Sequence, residues 1–304
     1  MKIHFIVNPS SGGGSTGKTW AQVRNFIEDR LKKISFEFTG SKGHGVELAK
    51  RACENGVEKI VVIGGDGSIS EVVTGVMQSE KKNSSIGILN FGTGGDFCRT
   101  LGVAADLKIA VDKIAEGNTI TADIGKVTFH DKEGKLAHRN FINITGCGMA
   151  GEVARTINKS KKVFGGFSYY LSSLQNLLSY KNKKVRLLLD DNREYSFTAV
   201  TVAVCNGQYF GGGMQINPEA QISDGLFHIT VVEDWSILQK ILYSARLYNG
   251  TILTAPNVHS LTAKKIVILP KEGEEAAIID SDGEDVGSIP MTVELIPNAV
   301  RFIV

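Results

Sequence analysis

Short apolar runs alternate with amphipathic stretches over the first third of the chain. Ile3-His4-Phe5-Ile6-Val7 has the length of a strand; a Gly/Ser loop and a helical pattern near 18–33 follow it. Phe36-Glu37-Phe38 reads as a short strand and 45–54 as a helix. The β-branched run 59–63 leads into a helix over 69–78, with Val72, Val73 and Val76 on one face. A strand at 86–90, a glycine loop and a helix at about 106–116 complete the series. This βαβα order predicts a parallel sheet with helices on both faces.

The pattern changes after about Thr121. Strand-like segments now follow one another at 120–129, 139–146, 184–190, 195–205, 226–232, 264–269, 276–280 and 291–296. Asp131-Lys132-Glu133-Gly134 and Asp190-Asp191-Asn192 are hairpin signals between them. Helical patterns interrupt at 148–158, 167–180 and 235–247. The expected division is a nucleotide-binding α/β domain over 1–122, a β-rich domain over 123–296, and a terminal strand in 297–304 that packs back on the first domain.

The chain has 304 residues, enough for two domains, and a formal net charge of +2, so no global field points to nucleic acid. Basic residues do cluster locally, at Lys159, Lys161 and Lys162 and at Lys181, Lys183, Lys184 and Arg186. These read as solvated faces or as a surface for anionic lipid. Four scattered cysteines without a CxxC fit buried, reduced thiols in a cytoplasmic protein. The histidines lack zinc-ligand spacing, and no apolar run reaches membrane-span length.

Three loops carry the chemistry. Gly64-Gly65-Asp66-Gly67-Ser68 ends a strand and opens a helix, where bare backbone N–H groups bind phosphate and glycine lets it approach. The carboxylate among them implies a nucleotide with a divalent metal; the plain alternative is a tight turn with Asp at the helix cap. Asn8-Pro9-Ser10-Ser11-Gly12 follows the first strand, and Phe91-Gly92-Thr93-Gly94-Gly95-Asp96 the strand at 86–90. Open parallel sheets bind ligands at these carboxyl ends. Gly12–Thr19 also matches the P-loop pattern literally, but no apolar strand ends in a simple Walker-B Asp. In the β-rich part, Asp224-Gly225-Leu226-Phe227 and Asp280-Ser281-Asp282-Gly283-Glu284 read as turns unless something brings them to a ligand.

Together these residues resemble the diacylglycerol kinase catalytic-domain family of lipid kinases in its soluble bacterial form. The matching pieces are Asn8 to Gly12, Thr39 with Gly43-His44, Gly64 to Ser68, Gly92-Thr93 with Asp96-Phe97, Ala122-Asp123-Ile124-Gly125, Asp224-Gly225-Leu226 and Asp282-Gly283-Glu284. The resemblance implies an α/β N-terminal domain of NAD kinase/diacylglycerol kinase type and an antiparallel β-sandwich C-terminal domain. It implies transfer of the γ-phosphoryl of ATP to a lipid hydroxyl. Asn8, Pro9, Ser10, Ser11, Gly12, Thr39, Gly65, Asp66, Gly67, Ser68, Glu71 and Thr93 would line the nucleotide, with Asp66 organising Mg-ATP. Glu284 would be the general base. Asp96 and Asp123 would lie near the catalytic magnesium, and a structural magnesium would take the Asp224 carboxylate with the carbonyls of Gln221 and Leu226. The chain departs from the family at Ser68, usually Thr, and at Gly95, usually Asn.

Expected partners are ATP, Mg2+, a lipid substrate and the inner face of a membrane, touched peripherally and in a salt-sensitive way; no nucleic acid is expected. Oligomeric state stays open, a homodimer included. The competing readings are an NAD kinase-like enzyme acting on a ribose hydroxyl, a non-enzymatic lipid- or nucleotide-binding protein on the same fold, and a P-loop NTPase.

Overall fold

A computed structural model describes residues 2–160 and 180–304. The chain divides into two compact units, one of residues 1–124 with 297–304 and one of residues 125–296.

The first unit is a parallel sheet wrapped by helices. In chain order it comprises β1 (Ile3–Val7), α1 (Ser15–Leu31), β2 (Ile34–Phe38), α2 (His44–Glu54), β3 (Lys59–Gly64), α3 (Asp66–Gln78), β4 (Ser85–Asn90), α4 (Asp96–Leu101), α5 (Leu107–Glu116) and the start of β5 (Thr119–His130). β1 lies between β2 and β3, with Ile3 opposite both Ile34 and Lys59, and β3 pairs with β4. β3 is buried along its whole length, which is why its sequence from Ile60 on is continuously apolar rather than alternating. Trp20, Val23 and Ile27 of α1 and Ala110, Val111 and Ile114 of α5 pack on one face against Phe5, Val61, Ile63 and Leu89.

The sheet is completed from the far end of the sequence. In β16 (Glu284–Ile303), Arg301 and Phe302 pair in parallel with Ser85 and Ile86 of β4. Phe302 is fully buried against Phe97 of α4, ring centroids 5.2 Å apart. Val304 N–H donates to the Asn118 carbonyl at 3.0 Å.

The second unit is antiparallel. It contains β6 (Leu136–Phe141), β7 (Ile144–Gly148), α6 (Met149–Ser160), β8 (Lys183–Leu189), β9 (Arg193–Cys205), the short pair β10 (Tyr209–Phe210) and β11 (Met214–Gln215), β12 (Phe227–Glu233), α7 (Ile237–Ser244), β13 (Val258–Ala263), β14 (Lys265–Pro270) and β15 (Ile278–Ser281). One run of neighbours is β13-β12-β9-β7-β15-β16; β8 and β14 pair with each other and tie back to β9 and β16. Val202, Val204, Phe227, Ile229, Ile266, Ile268, Ile279 and Val293 belong to the buried core. The β8–β9 hairpin turns through Asp190 (φ 51°) and Asp191 (φ 63°), the paired left-handed conformation that suits the strand twist.

Several elements differ from the sequence reading. α1 starts at Ser15, not near 18, because Gly12, Gly13 and Gly14 (φ 59°, 67° and 89°) form a left-handed turn that ends there. The strand expected over 139–146 is broken into β6 and β7. At the break the N–H groups of Ile142, Asn143 and Ile144 all donate to the Asp282 carboxylate at 2.8–3.1 Å instead of to a ladder. The segment at 291–296 and the terminal strand in 297–304 form one strand, β16, and β13 had no sequence counterpart. α7 stops at Ser244, a short 3-10 turn continuing to Leu247. The helix expected over 167–180 falls almost wholly outside the described residues, and of the first lysine group Lys161 and Lys162 do so too. All four cysteines are buried and unpaired with one another.

Candidate active site

In the first unit the ends of β1, β3 and β4 bring the three glycine loops together. Asn8 Nδ2 donates to Ser68 Oγ at 2.9 Å, and Asn8 N–H to the Ile63 carbonyl at 2.9 Å. Ser11 Oγ donates to the Phe91 carbonyl at 3.0 Å. Gly65 and Gly92 touch: a Cβ on Gly92 would overlap the Gly65 backbone. The glycines are therefore needed to nest one loop on another as well as to leave room for phosphate. Ser10, Gly67 and Thr93 are exposed at the rim. The first loop is further held by Gly17 N–H to the Pro9 carbonyl and Gly14 N–H to the Ser10 carbonyl, each at 3.1 Å. Gly12 has φ 59° and lies against Ser15 and Phe91.

Asp66 stands at the first turn of α3, but it does not cap that helix; the N-cap residue is Gly65. Its carboxylate crosses to the third loop. Oδ2 accepts Gly95 N–H at 2.9 Å and Oδ1 accepts Phe97 N–H at 3.3 Å. Asp66 is thus the N-terminal acceptor of α4. Burial holds its carboxyl above the usual carboxylate range, and the Asp96 charge adds to this, against the backbone donors. Asp96 is buried, with Oδ1 accepting Arg99 Nη1 at 2.9 Å; the same guanidinium nitrogen reaches the Gly94 carbonyl at 2.7 Å.

Gly95 has φ 69°, and a Cβ there would run into the Asn90 carboxamide. The amide missing at position 95 is replaced in space by Asn90, whose Oδ1 accepts Gly92 N–H at 3.1 Å. An Asn closing an apolar strand beside a glycine loop was the signal for this residue, and the sequence reading missed it.

Other expected nucleotide contacts have different work. Thr39 N–H donates to the Val7 carbonyl at 2.9 Å, which places Thr39 at the carboxyl end of β2. The Glu71 carboxylate accepts Gly43 N–H at 2.8 Å and Gly45 N–H at 3.0 Å, anchoring the start of α2. Asp123 is buried, and its Oδ1 accepts Asn298 N–H at 2.8 Å, securing the entry to the terminal strand segment.

In the second unit the acidic turn is built rather than solvated. Asp282, with φ 48°, holds the three N–H groups at the β6–β7 break. Glu284 Oε2 accepts Arg139 Nη1 at 2.7 Å, and both side chains are half-buried. Asp280 Oδ1 is shut off from solvent with no hydrogen-bond partner among the described residues. Burial first, and the Asp282 charge next, push its pKa up to about 8, against the pull of Arg139. The unfolded chain loses this proton near pH 4 and the folded chain keeps it until about 8. Folding therefore takes up a proton in that window, and stability falls as pH rises through it. We expect Asp280→Asn to melt higher than the wild type at pH 8 and to converge with it near pH 4. Parallel pH dependences in thermal denaturation would refute the assignment.

The Asp224 turn, which the resemblance assigns to a structural magnesium, is closed by hydrogen bonds from within the chain. Oδ1 accepts Leu226 N–H at 3.0 Å, and Oδ2 is 2.8 Å from His228 Nε2, so a cation shares the carboxylate's remaining lone pairs with these partners. Gln221 is exposed. We expect EDTA to leave the melting temperature of the nucleotide-free protein unchanged. An ion held at 100 times its dissociation constant would instead contribute about 2.7 kcal/mol, visible as a fall of several degrees on chelation. Among the described residues no group of three or more His, Cys, Asp and Glu is arranged to hold a metal. Asp66 and Asp96 do suit a nucleotide-borne magnesium, which uses one or two carboxylates plus phosphate oxygens and water.

A parallel sheet gathering phosphate-type loops at its carboxyl ends, in one chain with a β-sandwich-like unit, defines a kinase of the NAD kinase-like fold. Yeast NADH kinase, solved with NADH, shares that fold, with a TM-score of 0.52 at 11% identity over 99% of this chain and 82% of that one. More specifically, residues 2–127 match the diacylglycerol kinase catalytic domain, and residues 143–304 match the YegS C-terminal NAD kinase beta sandwich-like domain. The chain belongs to this family of diacylglycerol kinase and YegS-like lipid kinases. It is 28% identical to a "Probable lipid kinase YegS-like" of Klebsiella pneumoniae, over 96% of this chain and 93% of that protein. It is also 28% identical to a diacylglycerol kinase of Staphylococcus saprophyticus, over 95% and 90%. A crystal structure of a candidate diacylglycerol kinase from Bacillus anthracis matches with a TM-score of 0.79 at 25% identity, over 99% and 94%. The P-loop pattern at Gly12–Thr19 falls within the diacylglycerol kinase match, so it marks this family's first loop and helix.

Proposed function

We propose that the protein transfers the γ-phosphoryl of ATP to the hydroxyl of diacylglycerol or a closely related lipid. The observation that carries the reading is the meeting of three glycine loops around Asp66 at the carboxyl ends of β1, β3 and β4. Their backbone N–H groups and the hydroxyls of Ser10, Ser11, Ser68 and Thr93 receive the phosphates and fix the γ-phosphoryl in line with its acceptor. Asp66 and Asp96 would hold magnesium, which would supply neutralisation of charge on the phosphates. Glu284 takes the proton of the lipid hydroxyl as the new P–O bond forms and the β,γ bridge breaks, leaving ADP. Arg139 orients that carboxylate. Reaction of the protein with radiolabelled ATP and a panel of diacylglycerol, phosphatidylglycerol, sphingoid base and NAD tests the proposal. Label in a lipid product supports it. Label only in NAD would favour the reading that the shared fold with NADH kinase keeps open.

A further inference from the structure

Helix α7, Ile237–Ser244, is built inside out. A capping box between Ser236 and Gln239 fixes its start. Its one charged side chain, Lys240, points into the protein: it is 4% exposed, donates Nζ to the Tyr180 carbonyl at 3.0 Å, and lies over the Tyr180 ring at 5.4 Å. The aliphatic residues point out. Leu238 is 73% and Leu242 64% exposed, and Ile237 and Ile241 are exposed with them. At 3.6 residues per turn these four occupy an arc of roughly 140°. Ala245 and Tyr248, both exposed, carry the stripe on through the following turn. A fold that buries a lysine and exposes four aliphatic side chains on one helix leaves a face that gains from being covered.

We propose that this stripe seats the protein on the lipid bilayer that holds its substrate, an inference that rests on the lipid-kinase reading above. Two observations select a bilayer over a second copy of the chain. The first is size. A stripe one helix wide and about 18 Å long has a footprint on the order of 200 Å², against roughly 800 Å² per partner in a stable dimer. The second is charge. From Trp235 to Lys271 the chain contains no Asp or Glu, while Arg246 lies two residues past the end of the helix. Exposed Lys181 adjoins Asn182, whose amide reaches Asp234 Oδ1 and the Trp235 carbonyl at the helix start. An apolar stripe on a stretch free of carboxylates, with Arg246 beyond its end and Lys181 beside Asp234 near its start, suits a helix lying in the headgroup region of an anionic membrane. The lysines singled out in the sequence are poorer candidates: Lys183 pairs with Glu275, Lys184 with Glu274 and Arg186 with Glu194. Binding is therefore mainly apolar and survives high salt.

The test uses vesicles of phosphatidylcholine and phosphatidylglycerol carrying long-chain diacylglycerol. Leu238→Gln/Leu242→Gln should lose at least about tenfold in flotation and in phosphorylation of the bilayer substrate. Its turnover of a short-chain, water-dispersed diacylglycerol should stay near wild type, and circular dichroism should show an unchanged fold. In a second variant, Leu242→Trp, indole emission should shift to the blue on vesicles and be quenched by brominated lipid. Wild-type flotation by the double variant, unshifted emission of the Trp variant, or a wild-type dimer that the substitutions split would each overturn the proposal. Flotation lost in the variant while neither protein phosphorylates any lipid would support the docking face and reject the kinase reading.

Discussion

Asp66→Asn is expected to lower turnover on the order of 10³-fold, the scale seen when a preorganised electrostatic group is removed from a reacting centre. The structure adds a second effect. The carboxylate accepts two backbone N–H groups, from Gly95 and Phe97. An Asn can accept one, but its amide then faces the other with a donor, leaving a part-buried N–H unpaired at about 1–3 kcal/mol. The variant should keep its secondary structure by circular dichroism and yet melt lower. Turnover near wild type would reduce Asp66 to a tether for the start of α4. Loss of stability with unchanged turnover would do the same more pointedly.

Glu284→Gln separates two candidate proton acceptors. Gln keeps the shape and can still accept from Arg139, but it cannot take a proton. If Glu284 is the base, kcat should fall about 10²–10⁴-fold, equivalent to roughly 3–5 kcal/mol of barrier, with ATP affinity by calorimetry little changed. Asp280→Asn is the paired control. Its carboxyl, with a pKa pushed up to about 8, is a second candidate in this turn for exchanging a proton. A normal kcat in Glu284→Gln together with a collapsed kcat in Asp280→Asn would move the role to Asp280. Equal loss of ATP affinity and rate in Glu284→Gln would make Glu284 part of the nucleotide site.

What the sequence made legible was whatever depends on neighbours along the chain. The fully buried β3 announces itself as an unbroken apolar run, and each glycine loop follows directly from the strand that ends in it. What it hid was decided by hydrogen bonds between distant residues. Glu71 entered with the nucleotide loop through the resemblance, and nothing in its neighbourhood along the chain announces its partners, the N–H groups of Gly43 and Gly45. Residues 139–146 carry no turn signal between them, and only Asp282, far along the chain, explains why they break. The acidic turn at 280–284 has the composition of a solvated hairpin; contact with β6 and β7 turns it into a buried polar cluster. His228 sits four residues from Asp224 with no local pattern to reveal that it occupies the carboxylate.

The parallel strand segment at the end of β16 sets an order of events during synthesis. On a ribosome, β1 to β4 and their helices emerge first, but β4 waits with one edge unpaired until Arg301 and Phe302 arrive after the entire second unit. Phe97, beneath the loop that Asp66 holds, likewise waits for Phe302 to cover it. Nascent chains stalled before residue 297 should therefore present a sticky strand edge and call on chaperones. Nucleotide protection in such chains should appear only once the last residues have cleared the exit tunnel.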